Sequence, residues 1–361
     1  MLLSFIIPTR DRPDQLAETL DRLGKLASSV GEHAELIVID NASVSPMTLP
    51  VSLPNGIEVI SIQLDQNRNT AARNIGAKKA RADWLVMLDD DSSPLECPLI
   101  PVLQEADDDL AAIGGEILLP SGKRESGGLP EVIIGCGCAI RRDAFLEVGG
   151  YDESFGYYAE EYDLCAKLIG AGFRISHTRT MKFEHRKSTT GRNLDEIIFR
   201  LVRNNAWVLQ RYAPREHRQR LIDDTIERYR SIAEKENALA GFECGYAELL
   251  STLDQQPERA LSIEHWERFE GRAAVRATMQ EQMRNGHSKF RFVGPEMGKG
   301  RDVIMSELLA QCCTVNNDKE GRAFISTLSP GPMLDSLEAH PTALVPWCFA
   351  DSGHRSQSAP A

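Results

Sequence analysis

Short apolar runs alternate with amphipathic stretches of helical length through the first half of the chain. Continuous apolar runs predict strands, and apolar residues spaced three or four apart predict helices. The predicted strands cover residues 3–7, 36–39, 59–64, 84–88, 110–119, 132–140, 174–176 and 181–184. The predicted helices cover residues 13–26, 70–81, 142–148 and 160–171. This alternation predicts an α/β fold with a mixed, mostly parallel sheet flanked by helices.

The pattern changes after about residue 192. Strand-like runs become rare there, and helical periodicity dominates to about residue 313. We therefore predict an α/β unit at residues 1–192 and a mainly helical accessory region at residues 193–350. The polar end at residues 351–361 predicts a disordered tail.

The composition is that of an ordinary globular protein and argues against several classes. Of the 361 residues, 42% are hydrophobic and 26% are charged. The net charge of -12 argues against a nucleic-acid binder, which would carry a basic surplus. With no apolar run of about 18 residues, we expect no transmembrane helix. The eight cysteines lack paired CxxC spacing, so we expect reduced, buried thiols in a cytoplasmic protein.

The predicted strand at residues 84–88 runs directly into three acids, Asp89, Asp90 and Asp91. Like charges at the carboxyl edge of a buried strand cost free energy unless a cation lies there. That edge is where open α/β sheets bind ligands, and Mg²⁺ and Mn²⁺ prefer oxygen ligands. Alternation along an extended chain turns Asp89 and Asp91 to one side. A solvated acidic turn or a helix cap at Asp91 or Ser92 is the alternative explanation.

Three further groups could join this site, although each also has an ordinary structural explanation. Small residues around Arg73 would let a helix begin close to a ligand, where Arg73 could bind a phosphate. The ordinary explanation is a capped helix with an exposed arginine. Glu160, Glu161 and Asp163 begin a helix, where the dipole favours acids, and one of them could act as a general base. His185 could complete a metal shell, although a lone histidine is more often structural.

Together and in this order, the segments resemble the family 2 glycosyltransferases, a large group with the GT-A fold. The resemblance covers residues 3 to about 210. The matching segments are residues 5–12, 36–43, 69–76, 89–91, 149–153 and 160–164, together with His185. The commoner acidic element of the family is Glu-Asp-x-Asp, and here Glu161 stands at its Asp position, one methylene longer.

The resemblance implies an inverting transferase that moves a sugar from a nucleotide diphosphate sugar, with a UDP-sugar favoured, to an acceptor hydroxyl. It implies a divalent metal, Mn²⁺ or Mg²⁺, held by Asp91 with Asp89 and His185. Glu161 would be the general base, with Glu160 and Asp163 as alternatives. The implied nucleotide-sugar residues are Pro8, Thr9, Arg10, Arg12, Asp40, Asn41, Asn69, Arg73, Asp89 and Asp90. Lys187 and Arg192 would close over the diphosphate.

Two other functions stay open on the sequence. One is a nucleotidyltransferase that makes a nucleotide sugar, although the chain lacks a glycine-rich basic loop near its start. The other is a non-catalytic binding protein on the same fold. The presence of all the acids and of His185 argues against it. The acceptor is a glycan, a lipid-linked glycan, a protein or a small molecule. A homodimer and a peripheral contact with a membrane are also left open.

Overall fold

The computed structural model describes residues 1–95, 98–187, 193–284, 288–315 and 321–350. The predicted tail at residues 351–361 and Arg192 lie outside these ranges. The strands are β1 (Leu3–Thr9), β2 (Ala34–Asp40), β3 (Glu58–Gln63), β4 (Trp84–Met87), β5 (Ser92–Pro94), β6 (Leu110–Leu118), β7 (Cys138–Arg141), β8 (Arg174–His185), β9 (Lys289–Val293), β10 (Thr314–Val315) and β11 (Arg322–Ile325).

The helices follow the same chain order. They are α1 (Pro13–Gly24), α2 (Ser28–Gly31), α3 (Ala72–Lys79), α4 (Leu99–Gln104), α5 (Arg142–Glu147), α6 (Glu160–Gly170), α7 (Leu194–Tyr212), α8 (Arg215–Lys235), α9 (Leu239–Thr252), α10 (Ile263–Glu270), α11 (Arg272–Arg284), α12 (Arg301–Ala310) and α13 (Pro330–Ala339). Short 3-10 turns lie at Asn69–Ala71, Glu153–Phe155 and Leu253–Gln255.

The first eight strands form one mixed, mostly parallel sheet in the order β3-β2-β1-β4-β7-β6-β8-β5. Strands β3, β2, β1 and β4 are parallel, β7 is antiparallel to both of its neighbours, and β8 is parallel to β6. This arrangement confirms the predicted α/β fold. Because β2, β1 and β4 are parallel, their carboxyl ends meet at one edge, where Thr9 lies beside Asp40.

The inner strands are apolar because helices cover both faces of the sheet. On one face Ile6, Ile37 and Ile39 pack with Ala72 and Ala77 of α3. The other face packs against the apolar stripe of α1. Gly76 lets α3 lie close to the sheet, since a Cβ there would come within 2.9 Å of the Ile39 side chain. The close approach fixes where the start of α3 lies relative to the carboxyl edge.

Three predicted strands differ from the observed ones. The predicted strand at residues 132–140 forms only at β7, because the preceding residues, including Gly135 and Cys136, line a cavity instead of pairing. The predicted pair at residues 174–176 and 181–184 is one strand, β8. Its pairing with β6 shifts register between Gly114 and Glu116, which lets the strand continue through the interruption.

The C-terminal region is mainly helical, as predicted, but it ends in a small sheet that the sequence did not predict. Strand β9 lies between β10 and β11 and is parallel to both. The division of the chain at residue 192 stays a prediction. Within the described ranges, no helix combines the length and apolar character needed to cross a membrane.

The cysteines correct one further expectation. Cys244, Cys312 and Cys348 are exposed, so the expected burial of all thiols is wrong at these positions. Every cysteine in the described part of the chain is a free thiol.

Candidate active site

A cavity of about 540 Å³, called the first cavity here, opens at the carboxyl edge of the large sheet. Several strand ends and the start of α6 contribute to its wall. The sequence-predicted residues that line it are Arg12, Arg73, Asp89, Asp91, Glu160, Glu161, His185 and Lys187. The sheet topology therefore brings residues that are far apart in the chain into one chamber.

Each of the two outer acids after β4 is paired with an arginine. Asp91 Oδ2 accepts a hydrogen bond of 2.6 Å from Arg12, which reaches across from the loop after β1. Asp89 accepts a hydrogen bond from Arg73, whose buried guanidinium also donates to the carbonyl of Leu88 at 3.0 Å. These bonds fix the two carboxylates in position at the wall of the first cavity.

Asp90 points away from the first cavity, as strand alternation predicts. Its Oδ2 accepts a hydrogen bond of 2.8 Å from Thr9, and its Oδ1 lies 2.6 Å from Arg12. Burial raises the pKa of Asp90 to about 7, more than its ion pair with Arg12 lowers it. The side chain therefore links β1 to the acidic turn rather than lining the cavity.

His185 lies at the end of β8 and contacts the acidic turn. Its Nε2 lies 3.3 Å from Asp91 Oδ1 and 4.0 Å from Asp89 Oδ2. Its Nδ1 is 2.9 Å from Glu125 Oε2. Burial alone would lower the pKa of His185, but hydrogen bonds to Asp91, Cys136 and Glu125 raise it to about 12. In the absence of a bound cation, the imidazole is therefore protonated on both nitrogens and positively charged.

The donor atoms around His185 fit a divalent metal. Among the described residues, ligand atoms of Asp89, Cys136 and His185 lie within 4.8 Å of one another, and Asp91 borders the same group. Burial raises the pKa of the Cys136 thiol to about 11, which makes it a poor ligand for a hard cation. Two carboxylates and an imidazole remain, a donor set that suits Mn²⁺ or Mg²⁺.

Glu160 and Glu161 begin α6 and also line the first cavity. The turn that leads to them is strained, with φ of 71° at Tyr158 and 65° at Ala159. Asn204 of α7 holds this turn, because its Nδ2 donates to the carbonyls of Phe155, Tyr157 and Tyr158 at 2.7–3.0 Å. Such strain persists only where the surroundings enforce it.

The two glutamates titrate at a higher pH than an exposed glutamate. Burial raises the pKa of both groups, and for Glu160 the neighbouring charge of Glu161 raises it further. Glu160 is buried, and its Oε2 has no hydrogen-bond partner among the described residues. A carboxylate whose pKa is raised towards neutrality is a stronger proton acceptor once it is ionised.

The structure does not bring Asp163 to either wall of the first cavity. Its buried carboxylate accepts hydrogen bonds from Arg211 at 2.9 Å and from Tyr212 at 2.7 Å. Lys167, one turn along α6, lies 2.9 Å from its other oxygen. This network joins α6 to α7, so the geometry assigns Asp163 to packing.

The remaining predicted nucleotide residues lie beside the first cavity rather than in its wall. Asn41 N donates to the carbonyl of Thr9 at 2.8 Å, and Asn41 Nδ2 donates to that of Asn69 at 3.1 Å. Asp40 is buried at the same edge and accepts from the backbone of Ser43. Residues of this group are Pro8, Thr9, Arg10, Asp40, Asn41 and Asn69. Arg10 is the exposed member of the group.

A second cavity of about 500 Å³ adjoins the first. The two share Glu125, Tyr158, Glu161 and Lys187, among other residues. The far wall of the second cavity comes from the C-terminal region: Leu201, Asn205, Tyr229, Pro295, Met297, Gly298, Lys299, Thr327, Ser329 and Pro332. Glu161 thus lies where a group in one cavity can meet a group in the other.

Sequence reasoning missed Glu125, Cys136 and Lys299. Glu125 lies in irregular chain between β6 and β7, where periodicity carries no signal, and Cys136 lies in the part of the predicted strand at residues 132–140 that does not form. For Lys299 a signal existed, because the alternating strand Lys289–Val293 is followed by Gly298 and Gly300 on either side of the lysine.

Comparison with known proteins adds a family. The model of glycosyl transferase family 2 matches residues 4–184, half of the chain. The O-antigen biosynthesis protein RfbC of Myxococcus xanthus is 26% identical over 227 residues, which are 53% of this chain and 18% of that protein. An uncharacterized glycosyltransferase of Haemophilus influenzae is 25% identical over 195 residues, 46% of this chain and 62% of that protein.

Among solved structures, the GalNAc-T7 complex with UDP, GalNAc and Mn²⁺ has a similar fold. Its TM-score is 0.51 at 16% identity, and the match covers 71% of this chain and 57% of that one. Both curated relatives named above extend well beyond the part that this chain matches. The likeness to GalNAc-T7 carries the fold alone.

Proposed function

The chain belongs to glycosyl transferase family 2, and from that premise we propose that it transfers a sugar, with inversion, from a nucleotide diphosphate sugar to an acceptor hydroxyl. The observation that carries this proposal is the position of Glu161. It lines the first cavity together with Asp89, Asp91 and His185, and it also lines the second cavity. A donor and an acceptor held in the two cavities would meet beside this carboxylate.

The residues of the first cavity suit the donor diphosphate. When bound, Mn²⁺ or Mg²⁺ would neutralise the charge that develops on the leaving diphosphate. Asp91, Asp89 and His185 would hold that cation, and Arg12 and Arg73 keep the two carboxylates in position. Glu125 accepts from Nδ1 of His185 and so directs Nε2 towards the acids.

Glu161 is the general base of this proposal. Inversion requires one in-line attack, so the acceptor hydroxyl must lose its proton on the face opposite the diphosphate. Glu161 lines both cavities, whereas Glu160 is buried and lines only the first. Glu160 stays the alternative base.

We favour a UDP-sugar as the donor. The proposed base and ribose contacts are Thr9, Asp40 and Asn41 beside the first cavity, with Asp89 nearer the ribose. The GalNAc-T7 structure contains UDP and Mn²⁺, which makes this pair the first choice for an assay. A nucleotidyltransferase is less favoured because of the family assignment. A cytoplasmic location, a peripheral membrane contact and a homodimer remain predictions.

The test is metal-dependent turnover of the donor. The purified protein is incubated with UDP-, GDP- and dTDP-sugars in Mn²⁺, in Mg²⁺ and in excess chelator, and the released nucleoside diphosphate is measured. We expect release with at least one donor and its loss in chelator. Release of pyrophosphate from a nucleoside triphosphate instead would favour the nucleotidyltransferase and contradict our proposal.

A further inference from the structure

We propose that the second cavity binds an acceptor that carries a phosphate group, and that Lys299 holds this phosphate while the acceptor hydroxyl faces Glu161. The inference rests on the proposed transfer reaction. It adds the chemical class of the acceptor and the part of the C-terminal region that selects it.

The second cavity lies at the carboxyl edge of the small sheet. Pro295, Met297 and Lys299 come from the connection between β9 and α12, and Thr327 and Ser329 come from the connection between β11 and α13. In open parallel sheets, strand-to-helix connections at the carboxyl edge are where ligands bind. The large sheet presents its own carboxyl edge to the adjoining first cavity, so the two ligand-binding edges face a joined space.

Lys299 brings a cation into this space, and Glu161 is the acid whose charge acts on it. Its ammonium group lies 4.5 Å from the centre of the Tyr162 ring and donates to the Tyr162 hydroxyl. In the part of the chain that the structure describes, it forms no ion pair with a carboxylate. Lys187, which lines the same cavity, is by contrast paired with Glu125 at 2.6 Å. Burying an unpaired ammonium costs free energy, which an anionic ligand would offset.

The loop holds Lys299 in a fixed position. The Lys299 carbonyl accepts a hydrogen bond of 2.8 Å from Leu328 N. Gly298 and Gly300 pack too closely for a side chain, since a Cβ would come within 2.3 Å of Ser326 O and 2.4 Å of Leu328 Cδ1. A cation that is fixed before the ligand arrives loses little conformational freedom on binding.

The chemistry of the side chain favours phosphate over other anions. A lysine ammonium is a compact charge that binds phosphate oxygens well, whereas planar carboxylates are matched by the arginine fork. Burial lowers the pKa of Lys299 to about 8, so most of the side chains are still charged at neutral pH. Tyr158, Tyr162 and Tyr229 line the remaining wall and offer surfaces for a sugar ring.

The test measures phosphate binding after the donor cavity has been filled. Inorganic phosphate is titrated into the protein in saturating UDP and Mg²⁺, and again without UDP, with ³¹P NMR as the readout. We expect one saturable site whose affinity falls roughly 10- to 100-fold in Lys299→Met, as loss of a charge-assisted bond predicts. Lys299→Arg should restore part of the affinity. Lys235→Met, at an exposed lysine of α8, is the matched control.

A second arm distinguishes the sources of the phosphate. Transfer is compared between glucose 1-phosphate, uncharged methyl glucoside and glucosyl phosphoprenol in phosphatidylcholine vesicles. The proposal is supported if the wild type prefers either phosphate compound and Lys299→Met loses this preference. The preferred compound then shows whether the phosphate source is soluble or lipid-linked. Equal use of the uncharged methyl glucoside would overturn it.

Failure of this inference can be separated from failure of the proposed function. If UDP and Mg²⁺ bind and the donor turns over, but phosphate affinity is the same in wild type and Lys299→Met, only the acceptor class is wrong. If no UDP-, GDP- or dTDP-sugar turns over, the transfer reaction is wrong, and the titration without UDP still decides whether Lys299 holds phosphate. Circular dichroism of each variant checks that it is folded.

Discussion

The two sheets of this molecule present opposite charges at their carboxyl edges. The large sheet ends in Asp89, Asp90 and Asp91, which arginines and His185 partly compensate. The small sheet ends in a glycine-flanked lysine whose described partner is a tyrosine. The first edge therefore suits a cation and the second an anion. Glu161 lines the cavities at both edges, and it interacts with the charges of Arg73 and Asp89 at the first edge and of Lys299 at the second.

The largest effect is expected at this shared residue. In Glu161→Gln the proton acceptor is lost, so transfer should fall roughly 100- to 10,000-fold while UDP affinity is retained. In the wild type, burial raises the pKa of Glu161, so kcat/KM should decline on the acid side at a pH above the ordinary range of glutamate.

Stopped assays of transfer and calorimetry of UDP binding provide these measurements. Glu153→Gln, at an exposed glutamate, is the matched control. If Glu160→Gln rather than Glu161→Gln abolishes transfer, the general base is the buried Glu160. The residue shared by the two cavities would then not be the base.

The acidic edge is tested by Asp91→Asn. This change removes one negative charge from the metal group while Arg12 keeps its partner Asp90. We expect transfer to fall roughly 100- to 1,000-fold, since stabilisation of the leaving diphosphate is weakened. Activity is measured as a function of Mn²⁺ concentration, with Asp14→Asn in the exposed first turn of α1 as control. Full turnover by Asp91→Asn would remove this residue from the metal site.

A smaller effect is expected at Glu125, which sequence reasoning missed. Its carboxylate accepts from His185 and from Lys187, so Glu125→Gln should loosen the orientation of the imidazole. Mn²⁺ affinity, measured by electron paramagnetic resonance, should fall about 10- to 100-fold, as is typical when a partner of a metal ligand is removed. Glu227→Gln, exposed on α8, should leave it unchanged. An equal affinity in both variants would show that His185 is oriented without Glu125.

Asp163 should affect stability rather than chemistry. Although it lies two residues from Glu161, its buried ion pairs tie α6 to α7. Asp163→Asn should lower the free energy of unfolding by about 3 kcal/mol, because Arg211 and Lys167 lose a buried counter-charge. Urea unfolding measures the change, with Asp21→Asn at an exposed site as control. A wild-type unfolding curve would contradict the structural assignment of Asp163.

The sequence predicted the first edge far better than the second, for physical reasons. Apolar runs locate the inner strands because both of their faces are buried, and acids at the end of such a run stand out. Beyond β4 the alternation of apolar and polar residues is weaker. The strand predicted at residues 132–140 is therefore longer than the observed β7. Glu125 and Cys136 reach the site through irregular chain, and only the fold places them beside His185.

The small sheet was missed because its strands are short and lie among helices. The alternating residues of β9 were the available signal, yet five residues do not outweigh the helical periodicity around them. Nothing in the sequence indicates that Lys299 reaches Tyr162, since the contact joins residues 137 positions apart. The candidate site therefore depends on tertiary contacts between the two regions.

A crystal structure of the protein with UDP and Mn²⁺ tests the central claim most directly. We predict an anomalous manganese peak between the Asp91 carboxylate, His185 Nε2 and the diphosphate, with Glu161 facing both this group and an open second cavity. A manganese peak away from Asp91 and His185, or UDP bound at Lys299 in the second cavity, would contradict the proposed donor site.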